Sequence, residues 1–240
     1  MKALLALLGG LKFGKLLLSG GSMLLSVIAY AWIFGWYYAV GFVILLYAHE
    51  MGHYVAARRR NIPVGLPTFI PFVGAWIAMK EMPASADDEA YVGFAGPLAG
   101  TVAALGCYVL ARQYDSTLLL AVSYAGFFIN LFNLIPVSPL DGGRITAIIS
   151  PRVWLLGVPL LVGAFFYLHS PLLIFIAILA YPQLLKAWRY DPEAEENRRY
   201  YGVSLELRIM YAVYYFMLVA FLSAMSYEVH GMLQHRVHGG

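Results

Sequence analysis

The chain is poor in charge and has almost no cysteine. Charged residues make up 12% of its 240 residues, against about a quarter in soluble domains, and hydrophobic residues make up 61%. The single cysteine, Cys107, excludes an intramolecular disulfide framework and a cysteine-rich metal site. The net charge of +3 is modest, and no basic stripe of the kind that binds nucleic acid accompanies it. What remains is the composition of an integral membrane protein.

Long apolar runs follow one another along the chain. A membrane-spanning helix needs about 20 apolar residues, and the runs predict an all-α polytopic membrane protein with six to seven transmembrane helices. We expect one membrane-embedded domain over residues 1–240, with a core over 16–150, C-terminal helices over 153–227 and a basic interfacial lead-in over 1–15. The predicted helices are Leu16–Phe34, Trp36–Ala57, Tyr91–Ala111, Thr117–Val137, Val153–Leu168, Pro171–Trp188 and Leu205–Tyr227.

Basic residues are distributed unevenly between the predicted loops. If seven helices span the membrane with the N-terminus inside, only Arg112 and Arg236 of the 16 lysines and arginines lie on the outer face. Loops rich in lysine and arginine remain in the cytoplasm. The distribution therefore predicts that the N-terminus and the inner ends of the second and fourth helices face the cytoplasm.

The loop between the second and third predicted helices has its own pattern. Four prolines in Asn61–Ala90 surround the apolar stretch Phe69–Met79, which is rich in aromatic and branched residues and too short to span. This composition predicts a short membrane-associated β-like hairpin or re-entrant segment.

The strongest local signal is His49-Glu50-Met51-Gly52-His53. On a helix, His49 and His53 lie one turn apart and point the same way, so two imidazoles can bind one zinc ion. Glu50 lies beside them, placed to take a proton from water at the metal. Ionisable groups inside an apolar helix are costly and are functional by default. We therefore interpret the motif as a metal site rather than an accident of composition.

A third ligand is needed, because catalytic zinc takes three protein ligands and one open position. Asp141 is the leading candidate, since it follows the fourth predicted helix on the same membrane face. An Asp-Gly pair also forms ordinary turns, but beside two histidines that need an oxygen donor we favour ligation. Three of the other carboxylates on this face precede a helix, where acids suit the N-terminal dipole. These other carboxylates are Glu81, Asp87, Asp88 and Glu89.

Three motifs together resemble the signatures of the site-2 protease family. They are His49-Glu50-x-x-His53, Gly96-Pro97-Leu98-Ala99-Gly100 and Asn133-x-x-Pro136-x-x-x-Leu140-Asp141-Gly142. By that resemblance, His49, His53 and Asp141 would bind one zinc ion. Glu50 would be the catalytic base, and Asn133 would position the peptide or stabilise the oxyanion. Asn130, one turn before Asn133, is an alternative for the latter role or a packed polar residue.

The resemblance implies an intramembrane zinc metalloprotease that acts on peptide bonds in or near transmembrane segments, as in regulated intramembrane proteolysis. The expected partners are single-span membrane-protein substrates and the lipid bilayer, with no nucleic acid. The proline-rich loop resembles the family's membrane-associated strands, where an unwound substrate pairs as an added strand. No PDZ or CBS domain fits in the chain, so the resemblance is to a minimal form.

Two alternatives stay open at this point. Another membrane zincin, of the prenyl-protein protease kind, also uses His-Glu-x-x-His but does not require the asparagine-to-aspartate motif. A non-proteolytic metal-binding membrane protein, such as a transporter or scaffold, would not require Glu50. The substrate, the oligomeric state and the role of the C-terminal histidines are left undetermined by the sequence.

Overall fold

A computed structural model of the chain describes residues 2–72, 74–76 and 83–238. These parts are almost entirely helical, so the predicted all-α class is confirmed. The elements are α1 (Lys2–Phe34), α2 (Trp36–Arg59), β1 (Thr68–Ile70), β2 (Gly74–Trp76), α3 (Ala86–Gln113), α4 (Thr117–Asn133), α5 (Asp141–Thr146), a 3-10 helix (Pro151–Leu156), α6 (Gly157–Leu168), α7 (Pro171–Trp188), α8 (Glu195–Tyr201) and α9 (Leu205–His238).

Four helices among the described residues are long and apolar enough to cross a membrane. The chain is thus an integral membrane protein, as predicted, while the count of six to seven spans stays a prediction. The four are Ala86–Gln113, Pro151–Leu168, Pro171–Trp188 and Leu205–Arg236. Two further apolar helices are shorter, Leu18–Phe34 and Thr117–Asn133.

Helix α3 lies at the centre of the bundle and packs along both α2 and α4, while α1 packs on α2 and α9 on α4. Small residues allow the central helices to approach closely. A Cβ atom at Gly52 of α2 would lie 2.3 Å from the carbonyl oxygen of Ala95 in α3. On the other side of α3, Phe127 of α4 and Leu222 of α9 are fully buried in one apolar cluster. The bundle therefore holds α2, α3 and α4 as one packed unit.

Helix α3 begins at Ala86, five residues before its predicted start. The Ser85 hydroxyl accepts a hydrogen bond from the backbone N–H of Asp88 and caps the helix. The acidic residues fill the first turn, where they suit the positive end of the helix dipole. Their predicted helix-terminal role is confirmed, but they lie inside the helix rather than before it.

Helix α4 ends at Asn133, so its predicted end at Val137 is wrong. Pro136 has no backbone N–H and disfavours helical geometry at Ile135. The chain instead turns through Pro136 and Val137 and enters the short helix α5 at Asp141. This early end places Asp141 beside the bundle rather than at the tip of a longer helix.

The predicted hairpin is present between α2 and α3. Strands β1 and β2 are antiparallel, with Phe69 opposite Ala75. The backbone N–H of Phe69 donates to the Ser22 hydroxyl of α1, and that of Phe72 donates to the Tyr30 hydroxyl. Side-chain contacts from α1 therefore fix the hairpin against the bundle. The end of the predicted segment, residues 77–79, lies outside the described residues.

Two expectations about the chain ends are wrong. Helix α1 already begins at Lys2, so the predicted start of the first helix at Leu16 is wrong. Helix α9 continues to His238, so the predicted end of the last helix at Tyr227 is wrong. Within it, Nε2 of His230 lies 3.0 Å from the Gln234 amide nitrogen, one turn along the same helix.

Candidate metal centre

The two histidines of α2 lie side by side inside the bundle. The spacing of four residues brings Nε2 of His49 and Nε2 of His53 to 3.1 Å. Both residues are buried, with exposed fractions of 5% and 7%. The predicted convergence of the two rings is therefore found.

Asp141 supplies the third donor from α5. Its Oδ2 atom lies 3.1 Å from Nε2 of His49 and 3.2 Å from Nε2 of His53. The two glycines that follow allow this approach. A Cβ atom at Gly142 would lie 2.2 Å from the Leu134 carbonyl oxygen, and one at Gly143 would lie 2.3 Å from the Ser138 nitrogen. The Asp-Gly-Gly sequence therefore serves close packing of α5 on the preceding loop.

The hydrogen bonds around the rings define what this cluster can bind. Nδ1 of His53 donates to the carbonyl oxygen of Val92 at 2.7 Å, and Nδ1 of His49 lies 2.8 Å from Oδ1 of Asn130. In neutral rings with protonated Nδ1, both Nε2 atoms carry lone pairs. Two lone pairs and a carboxylate oxygen at 3.1–3.2 Å repel one another unless a cation lies between them. Tetrahedral zinc with ligands at about 2.0–2.1 Å requires donors about 3.3 Å apart, so the donor set fits such an ion.

Glu50 lies next to this cluster without being one of its three donors. It is buried, with 8% of its surface exposed, and its carboxyl is close enough to both histidines and Asp141 to interact with their charges. Arg144 faces the second oxygen of Asp141, with Nη1 3.8 Å from Oδ1. The cluster thus combines two imidazoles with one carboxylate as donors, and a second carboxylate remains available for proton transfer.

The two asparagines of α4 have different surroundings. Nδ2 of Asn133 donates to the Ile129 carbonyl oxygen at 3.0 Å, and Asn133 is only partly buried. Asn130 is fully buried and bonds to His49. The structure thus brings His49, His53 and Asp141 together, and none of the hydrogen bonds among these described residues involves Asn133, whose predicted role stays a prediction.

The glycine-proline motif of α3 clears space for this arrangement. A Cβ atom at Gly96 would lie 2.2 Å from Nε2 of His53, and one at Gly100 would lie 2.3 Å from Oδ1 of Asn130. Glycines at this spacing permit close helix packing. The structure adds that the space is taken up by polar side chains of the site and not only by neighbouring backbone.

The other carboxylates considered as ligands are used elsewhere. Asp87 and Asp88 both form ion pairs with Arg60. Glu89 accepts a hydrogen bond from the Tyr200 hydroxyl, and burial together with this carboxylate raises the pKa of Tyr200 well above its usual value. Glu81 lies outside the described residues. Among the described residues, the three-donor cluster is the one group of histidine, cysteine and carboxylate side chains arranged to hold a metal ion.

A membrane-embedded helical bundle with a buried two-histidine, one-carboxylate cluster and an adjacent glutamate has the layout of a metallohydrolase site. Residues 37–116, which contain His49-Glu50-x-x-His53, match Peptidase family M50. The predicted resemblance to the site-2 protease family is thereby confirmed.

Individual relatives are also similar to part of this chain. A zinc metalloprotease of Methanocaldococcus jannaschii is 30% identical over 125 residues, which cover 48% of this chain and 36% of the relative. A Mycobacterium tuberculosis protein named as a candidate zinc metalloprotease, Rip3, is 34% identical over 124 residues, covering 48% of this chain and 31% of the relative. The matches thus span about a third of each relative.

A solved structure is also similar. The site-2 protease from Methanocaldococcus jannaschii aligns over 70% of this chain and 85% of its own length, with a TM-score of 0.45 and 20% sequence identity.

Proposed function

We propose that this chain is a zinc metalloendopeptidase that hydrolyses peptide bonds in or near transmembrane segments of membrane proteins. The observation that carries the proposal is the convergence of His49, His53 and Asp141 beside the buried carboxylate of Glu50. The family match and the names of the relatives support the same chemistry. The substrates are proposed to be single-span membrane proteins.

The proposed roles of the residues are supported by the geometry of the cluster. His49, His53 and Asp141 would hold the zinc ion, which when bound acidifies water and polarises a carbonyl group. Among the described residues, Glu50 is the one buried carboxylate beside the cluster that is not a donor, so it accepts the proton of the attacking water and later delivers it to the departing amine. Burial of the cluster in the bundle keeps bulk water away from these charges, which strengthens their effect.

Asn133 is proposed to position the peptide or to stabilise the oxyanion. It ends α4, at the point where the chain leaves the helix towards Asp141. Its amide nitrogen bonds to Ile129 in this structure, so the side chain must rotate away from that carbonyl to donate to a substrate. Loss of one such donor costs about a hundredfold or more in kcat.

The hairpin is proposed to receive the unwound substrate as an added strand. Because the N–H of Phe69 points to Ser22, the outer edge of β1 is covered by α1. In an antiparallel pair, Ala75 opposite Phe69 then points its own N–H and carbonyl away from β1. The substrate would therefore add to β2.

The variant Ala75→Pro tests this edge. Proline removes the backbone N–H of residue 75 without removing a hydrogen bond between β1 and β2, so it should lower cleavage and leave zinc content unchanged. Cleavage at the wild-type rate would exclude this edge as the substrate site.

The N-terminus and the metal centre are proposed to face the cytoplasm, on the basis of the basic residues. Reporter fusions after Arg60, Arg144 and Arg198 should then report the cytoplasm, and a fusion after Gln113 the opposite face. A cytoplasmic signal after Gln113 would contradict this orientation.

The decisive experiment is Glu50→Gln. Glutamine keeps the shape of the side chain but does not accept a proton at neutral pH, so cleavage should fall by about a hundredfold or more while bound zinc stays near one ion per chain. The assay is cleavage of a panel of single-span membrane proteins reconstituted in liposomes with the purified enzyme. Glu228→Gln, the same change at an exposed glutamate of α9, is the matched control.

The result separates the protease from its rivals. A metal transporter or scaffold would not respond to Glu50→Gln, and a prenyl-protein protease would cleave a prenylated peptide in preference to transmembrane substrates. Cleavage by Glu50→Gln at the wild-type rate would show that the mechanism assigned to this site is wrong.

A further inference from the structure

The two histidines of the metal centre are held by different kinds of partner. Nδ1 of His53 donates to a backbone carbonyl oxygen, that of Val92. Nδ1 of His49 contacts a side chain, Oδ1 of Asn130, at 2.8 Å across the interface between α2 and α4. A backbone partner persists whatever residue occupies position 92. The orientation of His49, in contrast, depends on the identity of residue 130.

The direction of the Asn130 amide follows from its second hydrogen bond. Nδ2 of Asn130 donates to the Gly126 carbonyl oxygen at 2.7 Å, so Oδ1 is the atom that faces His49. An amide oxygen only accepts, and the proton must therefore lie on Nδ1 of His49. Only 1% of the Asn130 surface is exposed, so the ring has no ready solvent partner in place of this amide. The lone pair of His49 is thereby directed through Nε2 towards Asp141 and His53.

Helix α3 is shaped to admit this asparagine. A Cβ atom at Gly100 would lie 2.3 Å from Oδ1 and 2.7 Å from Nδ2 of Asn130. The amide therefore occupies a space that any larger residue at position 100 would fill. Gly100, Asn130 and His49 form a continuous line of contacts from α3 through α4 to α2.

We propose that Asn130 is a positioning residue of the metal centre, which fixes the tautomer and orientation of His49 and so sets the affinity for zinc. The proposal rests on the proposed function, because it takes zinc as the ion. Asn133 is the natural comparison: its amide also bonds to the carbonyl four residues earlier, but none of the hydrogen bonds of the two histidines with described residues involves it. Asn130 would thus act on metal binding, and Asn133 on the peptide.

The test measures zinc affinity of the purified full chain in detergent, by competition with a chromogenic chelator and without substrate. Asn130→Leu keeps the approximate volume but has no acceptor, and it should weaken zinc binding about tenfold to a hundredfold. Asn130→Asp keeps an acceptor oxygen facing His49 but loses the N–H that donates to the Gly126 carbonyl oxygen, so it should bind zinc less tightly than the wild type and more tightly than Asn130→Leu. Ser123→Ala, the matched control, removes another fully buried polar side chain of α4, one that donates to the Leu120 carbonyl oxygen, and should bind zinc as the wild type does.

The outcomes distinguish positioning from packing. Wild-type affinity in Asn130→Leu, or equal losses in Asn130→Leu and Asn130→Asp, would overturn the proposal. If Asn130→Leu does not fold, Gly100→Ala is the alternative variant, because its new Cβ atom would press on the amide while the asparagine stays in place. Gly100→Ala should weaken zinc binding, and unchanged zinc affinity in this variant would overturn the proposal.

The failure of this proposal is distinguishable from failure of the proposed function. A wild-type chain that binds no zinc would overturn both. Zinc affinity that does not depend on residue 130 would remove only the positioning role of Asn130.

Discussion

The helices around the metal centre and the pair α6–α7 are both apolar, yet they are built differently. In α2–α5, buried polar side chains such as Glu50, Asn130 and Asp141 lie among tightly packed helices. In α6 and α7, Lys186 is the one charged residue, and large apolar side chains face outwards, with Phe166 69% exposed and Ile178 64% exposed. The first region is organised around polar contacts and the second around its outer apolar surface.

The difference indicates where substitutions will have an effect. Buried polar groups are costly unless each has a partner, and a network of them responds to the loss of any member. An apolar helix surface that faces lipid makes few specific contacts, so single changes there have little to disturb. We therefore expect metal binding and cleavage to be sensitive across α2–α5 and insensitive across the outer surface of α6 and α7.

The largest effect on metal binding is expected for Asp141→Ala. It removes one of three donors. Loss of a residue that only hydrogen-bonds to a metal ligand costs about tenfold to a hundredfold in affinity, so loss of a ligand itself should lower zinc affinity by more than about a hundredfold. Bound zinc in the purified protein is the measurement. Asp115→Ala is the matched control, because Asp115 pairs with Arg236 near the opposite ends of α3 and α9. Full zinc content in Asp141→Ala would remove this residue from the site and reopen the search for a third ligand.

A smaller effect is expected for Gly96→Ala. The new Cβ atom would lie 2.2 Å from Nε2 of His53, so the ring or α3 must shift. Overpacking of this kind costs about 1–3 kcal/mol, and zinc affinity should fall with it. Thermal unfolding in detergent and chelator competition measure the two effects.

Gly106→Ala is the matched control for this prediction. Gly106 lies on the same helix, and a Cβ atom there meets nothing within 4 Å. Alanine should therefore leave zinc binding unchanged and stabilise the helix by up to about 1 kcal/mol. Equal losses of zinc affinity in both variants would show that any alanine substitution in α3 weakens zinc binding. The effect of Gly96→Ala could then not be attributed to its contact with His53.

Much of the site was predictable because its residues lie in short sequence motifs with a recognisable spacing. The spacing of His49 and His53 defines a shared helix face, and the need for an oxygen donor selected Asp141 before the structure placed it at 3.1 Å from His49. The acids at the start of α3 were likewise recognised by their preference for a helix N-terminus. Local spacing and local electrostatics carry these predictions.

The remaining features depend on how helices rotate against one another, which local spacing does not reveal. Asn130 and Asn133 are both polar residues near the end of one apolar run, and only the packing of α4 on α2 and α3 decides which one reaches His49. The signal that separates them is the buried face of α4, which holds Gly126, Phe127 and Asn130. The full lengths of α1 and α9 were missed for another reason. Glycines and lysines interrupt the apolar pattern at the start of α1, and polar residues interrupt it at the end of α9, yet both segments are helical.

The smallest effect is expected for Ile178→Ala on the outer face of α7. The side chain is 64% exposed, so the substitution should change stability by less than about 0.5 kcal/mol and leave zinc affinity and cleavage as in the wild type. Cleavage should be measured on a single-span membrane protein in liposomes and on a short peptide in detergent. A loss restricted to the membrane protein would mean that the outer face of α7 contacts the substrate. In that case the division between a functional region, α2–α5, and a lipid-facing region, α6–α7, would be wrong. Substrate selection would then involve α7 as well.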